Sequence, residues 1–428
     1  MNDNIVRLIA RLDSQKASED LKKLEQQIGQ EEINMKIRVD SSELSAAARE
    51  SKTIFDKFNS FLKKAGIASL MLDKVRKSVA EIKNLDAALT GIGSSSELTS
   101  SQLEHLGDAA FKAAGKYGQS AGAYLDSVLA MSRSGFDGSR SAALAELSLL
   151  AQTAGSLSAD MADQYILATN AAYRYNGETA KLNAALDGQN SITDRNHIRM
   201  SDMAAAMTKA GQTASECRVS IEELSAMIGT ATAVTGLDGS EVGIGISSIL
   251  SNLQDASSGG TASALKAANV SMTEMADGVM QLRDPVSILR DLAAAYQALD
   301  ASDPLRGEIL SGIGGSHEAQ LSALLNNMEL FDKMLTDYGE GSGSAMKKAE
   351  LSAGSLEGSL NRLDNTFTSV VSNIADSGLL TGAVNILNTL LKLVEDLTSA
   401  LGPLGSIAAA GGGIISVKGA GKTFMLSS

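Results

Sequence analysis

Residues Ala231–Gln254 read ATAVTGLDGSEVGIGISSILSNLQ, and the five at their centre, Gly236-Leu237-Asp238-Gly239-Ser240, decide the fold class. They sit between two helical patterns. A glycine can end the first helix with a positive φ, and the Asp or Ser can cap the next. The same punctuation occurs earlier as Gly135-Phe136-Asp137-Gly138-Ser139. A calcium loop would need more carboxylates at alternate positions and a closing Glu. Those are missing, so both segments read as helix–turn–helix junctions.

The composition points the same way. Hydrophobic residues make up 44 %, Trp is absent, and Pro occurs three times in 428 residues, which favours helix over most of the chain. The 40 glycines argue against long uninterrupted helices. Gly135, Gly138, Gly155, Gly177, Gly236 and Gly239 punctuate the body, and Pro285 and Pro304 break it again. The predicted fold is mainly α: a multi-helix body of short Gly-punctuated helices, a small N-terminal strand-helix-strand element and longer C-terminal helices. A helix-interior glycine costs roughly 0.5–1 kcal/mol relative to Ala. The body is therefore expected to rearrange easily.

Three segments follow. In 1–84, Ile33, Met35, Ile37 and Val39 alternate with polar residues, a period of two that predicts a strand. Ile5 to Leu12 is its candidate partner, with a helix carrying Leu21, Leu24 and Ile28 between them. Amphipathic helices follow, with Phe55, Phe58, Leu62, Leu72, Val75, Val79 and Ile82 at spacings of three and four. Segment 85–340 is the helical body, in which the polar run Asp187 to Asn196 (DGQNSITDRN) reads as a loop. Segment 341–428 opens on a hinge at Gly341 to Gly343 and continues in long amphipathic helices from Leu356 to Leu401. It ends in a Gly-rich stretch. Leu397 to Val417 carries no charge and is long enough to span a bilayer, but Pro403 and several glycines interrupt it.

No constellation of catalytic residues stands out. Net charge is −13, which argues against wrapping naked nucleic acid. Cys217 is the single cysteine, so no intramolecular disulfide forms, and it reads as a small buried thiol. His105, His197 and His317 are scattered. Glu222 and Glu223 open a helix, where acids favour the dipole. The N-terminal MNDNIVRLIARLD lacks the pattern of a secretory signal. Near the C-terminus, Gly421, Lys422 and Thr423 echo a phosphate loop. That loop needs G-x-x-x-x-G-K-[ST] opening a helix. Ser416 stands where its first glycine belongs, and only FMLSS follows Thr423. The expectation is no enzyme: no catalytic, cofactor-binding or metal residues, and no cofactor.

Ala231–Gln254 resembles the best-preserved block of phage tail tape measure proteins of the lactococcal-phage type. MSDMAAAMTKAGQTASECRVSIEELSAMI (Met200 to Ile228), SAGAYLDSVLAMSRSGFD and ADMADQYILATNAAYRYN are similar to upstream helices of that family. AGSLEGSLNRLDNTFTSVVSNIADSGLLTGAVN (Ala353 to Asn385) is similar to the part that follows its helical body. The resemblance covers roughly residues 80 to 400. It implies the N-terminal region of a structural virion protein made in the host bacterial cytoplasm and placed in the tail lumen. Such a protein acts in tail assembly, tail length determination and genome ejection. The implied partners are tail tube and tail-tip proteins and tail assembly chaperones, with a homo-oligomer left open and no specific nucleic-acid binding. Family members are usually longer, which implies a fragment or a truncated prophage remnant. Two alternatives remain from the residues themselves. One is a membrane-perturbing or pore-forming helical protein, contacting the host membrane through the C-terminal segment. The more remote one is a nucleotide hydrolase with a degenerate phosphate loop.

Overall fold

The computed structural model describes residues 84–355 with short gaps (86, 95–97, 256–258 and 277–278), isolated positions between 361 and 369, and the backbone of 416–419 and 422–425. The strand-helix-strand element expected in 1–84, and most of the C-terminal helices, lie outside the described residues. What is described is mainly helical, as the sequence predicts, with 14 α-helices among those residues.

The first eight helices set the pattern. They are α1 (Ser100–Tyr117), α2 (Ala121–Arg133), α3 (Gly138–Gly155), α4 (Ala159–Ala172), α5 (Thr179–Asn196), α6 (Met200–Glu216), α7 (Ile221–Thr235) and α8 (Gly239–Gln254). Both quoted junctions behave as their residues dictate. Gly135 and Gly236 take φ of 92° and 67°. Asp137 and Asp238 then cap α3 and α8 through backbone amides of the first turn. Gly138, Gly155, Gly177 and Gly239 also lie at helix ends or in turns.

A second junction carries less glycine. A left-handed residue ends the helix, one residue follows, and the next caps the following helix. Gly118, Ser156, His197 and Arg218 are the left-handed residues, three of them not glycine. The amide after each closes back on the helix: Gln119 on Ala114, Leu157 on Gln152, Ile198 on Thr193 and Val219 on Ala214, at 2.8–3.1 Å. Ser120, Ser158 and Ser220 cap the next helices. Ser220 forms a full capping box with Glu223, which explains the acidic start of α7. Ser220→Ala is expected to cost about 1 kcal/mol in a urea titration.

Helices α4, α6 and α8 run parallel in one layer. Gly211 of α6 lies against Ala172, and Met200 against Gly155 just before α4. Thr213 meets Ser247 of α8 at 2.7 Å, and the Cys217 thiol faces the Leu250 carbonyl. The α6–α8 contact is backbone on backbone. A Cβ on Gly239 would lie 2.0 Å from the Asp202 carbonyl oxygen, and one on Gly243 would lie 2.6 Å from that of Ala206. These glycines are therefore points of contact rather than weak points. Helices α3, α5 and α7 are successive neighbours in a second layer against the first.

The chain then adds α9 (Gly259–Ala267), a hairpin of β1 (Thr273–Ala276) with β2 (Val279–Leu282), α10 (Pro285–Ala298) and α11 (Pro304–Ile309). The hairpin is antiparallel, with Met275 opposite Met280. Pro285 and Pro304 each open a helix behind an Asp cap, so they start helices rather than kink them. After a π turn (Leu310–Gly314) come α12 (Glu318–Asn326), α13 (Met328–Gly339) and α14 (Ser344–Ala353). Helix α13 packs on α5 and α7, and α14 on α3, α5 and α1.

One sequence expectation is corrected. Asp187 to Asn196 is not a loop: it is the second half of α5. At Gly341 to Gly343, space for a Cβ on Gly341 is closed at 2.6 Å by the Asp187 carbonyl oxygen. Near the C-terminus, Lys422 and Thr423 open β4 (Lys422–Met425), the antiparallel partner of β3 (Ser416–Gly419), with Gly419 opposite Lys422. A phosphate loop would put them at the start of a helix. No helix among the described residues is long and apolar enough to cross a membrane. Leu397–Val417 lies outside those residues except for Ser416 and Val417 in β3.

Candidate functional site: a polar seam under the C-terminal helices

Every residue of α5 from Ala185 to Thr193 is buried. The helix is enclosed by α3, α7, α13 and α14, so even its polar face meets protein. Each buried polar group then needs a partner. Asp187 accepts from the backbone amides of Gly343 and Ala345 at 2.8 and 3.0 Å, holding the start of α14. Its carbonyl accepts from Ser344 Oγ at 2.7 Å. Gly188 leaves room for the Tyr338 ring, which a Cβ would meet at 2.5 Å. Gln189 donates to Ser225 Oγ at 3.0 Å, and Asn190 to Ser344 Oγ at 3.2 Å. Lys348 pairs with Asp194 and reaches Asn190.

The seam continues into α13. Asp337 accepts from Arg195 at 3.0 Å, Asn196 at 2.9 Å and Lys333 at 2.8 Å. Arg195 also pairs with Glu340 at 2.5 Å. Burial by itself would raise the Asp337 carboxyl, but the bonds from Lys333, Asn196 and Arg195 together outweigh it and hold the group below its ordinary range. Its contribution is therefore full above the ordinary carboxyl value near pH 4 and is lost as pH falls through the lowered one. Further along the chain, Asn361 and Asn365 bond the α1–α2 turn. Asn361 donates to the Gly118 carbonyl at 2.7 Å, and Asn365 bonds the Gln119 carbonyl and, at 3.2 Å, the Ala121 amide.

A separate buried cluster joins α2, α3 and α4. Ser148 Oγ donates to Asp163 at 2.6 Å and accepts from Gln152 at 3.3 Å, with Ser127 at 3.5 Å. Burial pushes the Asp163 carboxyl up; Ser148 and Ser127 oppose the shift, and the charges of Asp160 and Asp126 add to it. The sign is opposite to that of Asp337. Holding Asp163 ionised costs stability above its folded value, and this cost disappears at acid pH. Asp163→Asn keeps an acceptor for Ser148 and is expected to raise the melting temperature at pH 7. The gain should shrink as pH is lowered, and a pH series of melting curves measures it.

The residues singled out by chemistry do not converge. His105 on α1 and His197 at the end of α5 are exposed, and His317 is half-buried in a short 3-10 turn. Cys217 is buried, as expected, and burial pushes its thiol up, away from a reactive thiolate. The Glu223 carboxylate accepts from the Ser220 amide and so caps its own helix. Among the described residues, no three His, Cys, Asp or Glu side chains gather where a metal ion could be held. The seam is the feature that residue spacing did not reveal. Many of its partners lie more than a hundred residues apart in the chain, as with Arg195 and Asp337.

Fold and seam together describe a helical body whose polar side chains join helix to helix. Residues 107–315 match the family model described as phage-related minor tail protein. The match covers somewhat under half of the 428 residues and supports a phage tail protein family with a structural role. No solved structure matches the chain.

Proposed function

We propose that the chain is the N-terminal region of a tape measure protein: a structural component of the tail lumen that takes part in assembly, length determination and genome ejection. The supporting observation is an overlap. The tail-protein match over 107–315 contains Ala231–Gln254 and the three other body blocks that carry the tape measure resemblance. In the structure these blocks form α2, α4, α6, α7 and α8, the packed centre of the body.

In this reading the chain contacts tail tube, tail-tip and chaperone proteins, acts by assembly rather than catalysis, and divides at 84/85 and 340/341. Helix α14, although it follows residue 340, packs on the body. Deleting the reading frame in the phage or prophage that encodes it is the test. Loss of tails, or tails of uncontrolled length under electron microscopy, supports the reading. Normal tails of uniform length without the chain overturn it.

A further inference from the structure

We propose that α14 is a releasable strap: it opens as a unit, ahead of global unfolding, and bares the faces of α3 and α5 beneath it.

The contact chemistry separates this strap from the rest of the body. The apolar side chains that α14 buries are Ala345, Ala349 and Ala353, with Met346 half-buried beside them. Leu351, its largest branched side chain, is 72 % exposed. By contrast, α8 buries Val242, Ile246, Ile249, Leu250 and Leu253. Apolar stabilisation scales with the area buried, so α14 is held far less strongly by this term.

What fixes α14 is polar. Asp187 holds its first amides, and Lys348 meets Asp194 and Asn190. Groups freed from such bonds regain water once the helix lifts, so each bond resists opening only by its modest net value. The turn before α14 is held at Gly341, against the Asp187 carbonyl, and open at Gly339 and Gly343, where no atom stands within 4 Å of the Cβ direction. Segments with few buried apolar contacts open first in native proteins. The elements beneath are of the opposite kind. Helix α3 is buried from Leu147 to Ala154, and α5 from Ala185 to Thr193. Opening the strap therefore uncovers interior surface while the α4–α6–α8 layer stays closed.

Hydrogen exchange by mass spectrometry on the full chain tests this. In the natural protein, amides of 344–353 should exchange at least about tenfold faster than those of α8, as one block. Asp187→Asn, which leaves one acceptor where there were two, should speed the strap about tenfold again and leave α8 unchanged. Lys348→Gln acts at the other polar contact and should do the same to a lesser degree; it carries the test if Asp187→Asn does not fold. Two results would overturn the proposal: strap amides as protected as those of α8, or variants that accelerate strap and α8 equally.

Discussion

Gly243→Ala is expected to destabilise the protein by about 1–3 kcal/mol, the range for forcing extra volume into a packed site. The sign is opposite to what helix propensity alone gives, since Ala is favoured over Gly in a helix interior by about 1 kcal/mol. The reason is local. A Cβ at 243 would lie 2.6 Å from the Ala206 carbonyl oxygen and 2.7 Å from the Ala206 Cα, and a backbone cannot rotate out of the way as a side chain can. Helices α6 and α8 must separate, and with them the contacts of Ile246 and Leu250. Gly115→Ala is the matched control. It is also inside a helix, α1, but no atom lies within 4 Å of its Cβ direction. There the propensity term acts unopposed, and a gain of roughly 0.5–1 kcal/mol is expected. Urea titrations of the two variants, read side by side, check both signs.

Asp187→Ala is the second large effect. It removes the acceptor of the Gly343 and Ala345 amides, the latter on a buried residue. Leaving a buried donor unsatisfied costs about 1–3 kcal/mol, so a loss on the order of 3 kcal/mol is expected for the pair. The loss should localise. Lys347 and Lys348 lie inside α14, where a helical backbone resists proteases. Trypsin should cut there quickly in the variant and slowly in the natural chain, before fragments of α6 to α8 appear.

Local chemistry was legible in the sequence. Gly135-Phe136-Asp137-Gly138 and Gly236-Leu237-Asp238-Gly239 announce a helix end and a cap within a few residues, and both are found there. What depends on neighbours distant in the chain was not legible. Asp187 to Asn196 looks like a loop because as far as Thr193 the enclosed helix has no solvent face and so shows no amphipathic period. Several of its polar groups bond Ser225, Asp337 and Ser344, which spacing cannot identify. A helix-interior glycine reads as a weak point, whereas at Gly229, Gly243 and Gly245 close neighbours occupy the space each leaves. The β1–β2 hairpin did have a signal, Asp277-Gly278 between short strands, a pair suited to a tight hairpin turn. Left-handed turns at Ser156, His197 and Arg218 had none, since those residues rarely take positive φ.

The most direct test of the tail assignment is the chain's place in the particle. Virions purified from the encoding phage or induced prophage would be digested and searched for peptides of 107–315, and antibody or cryo-electron microscopy difference density would then locate the chain. The account predicts those peptides in intact virions, with the chain inside the tail tube and inaccessible to antibody until the tail is opened. Particles with complete tails that lack the chain, or that carry it on the head, would contradict the account.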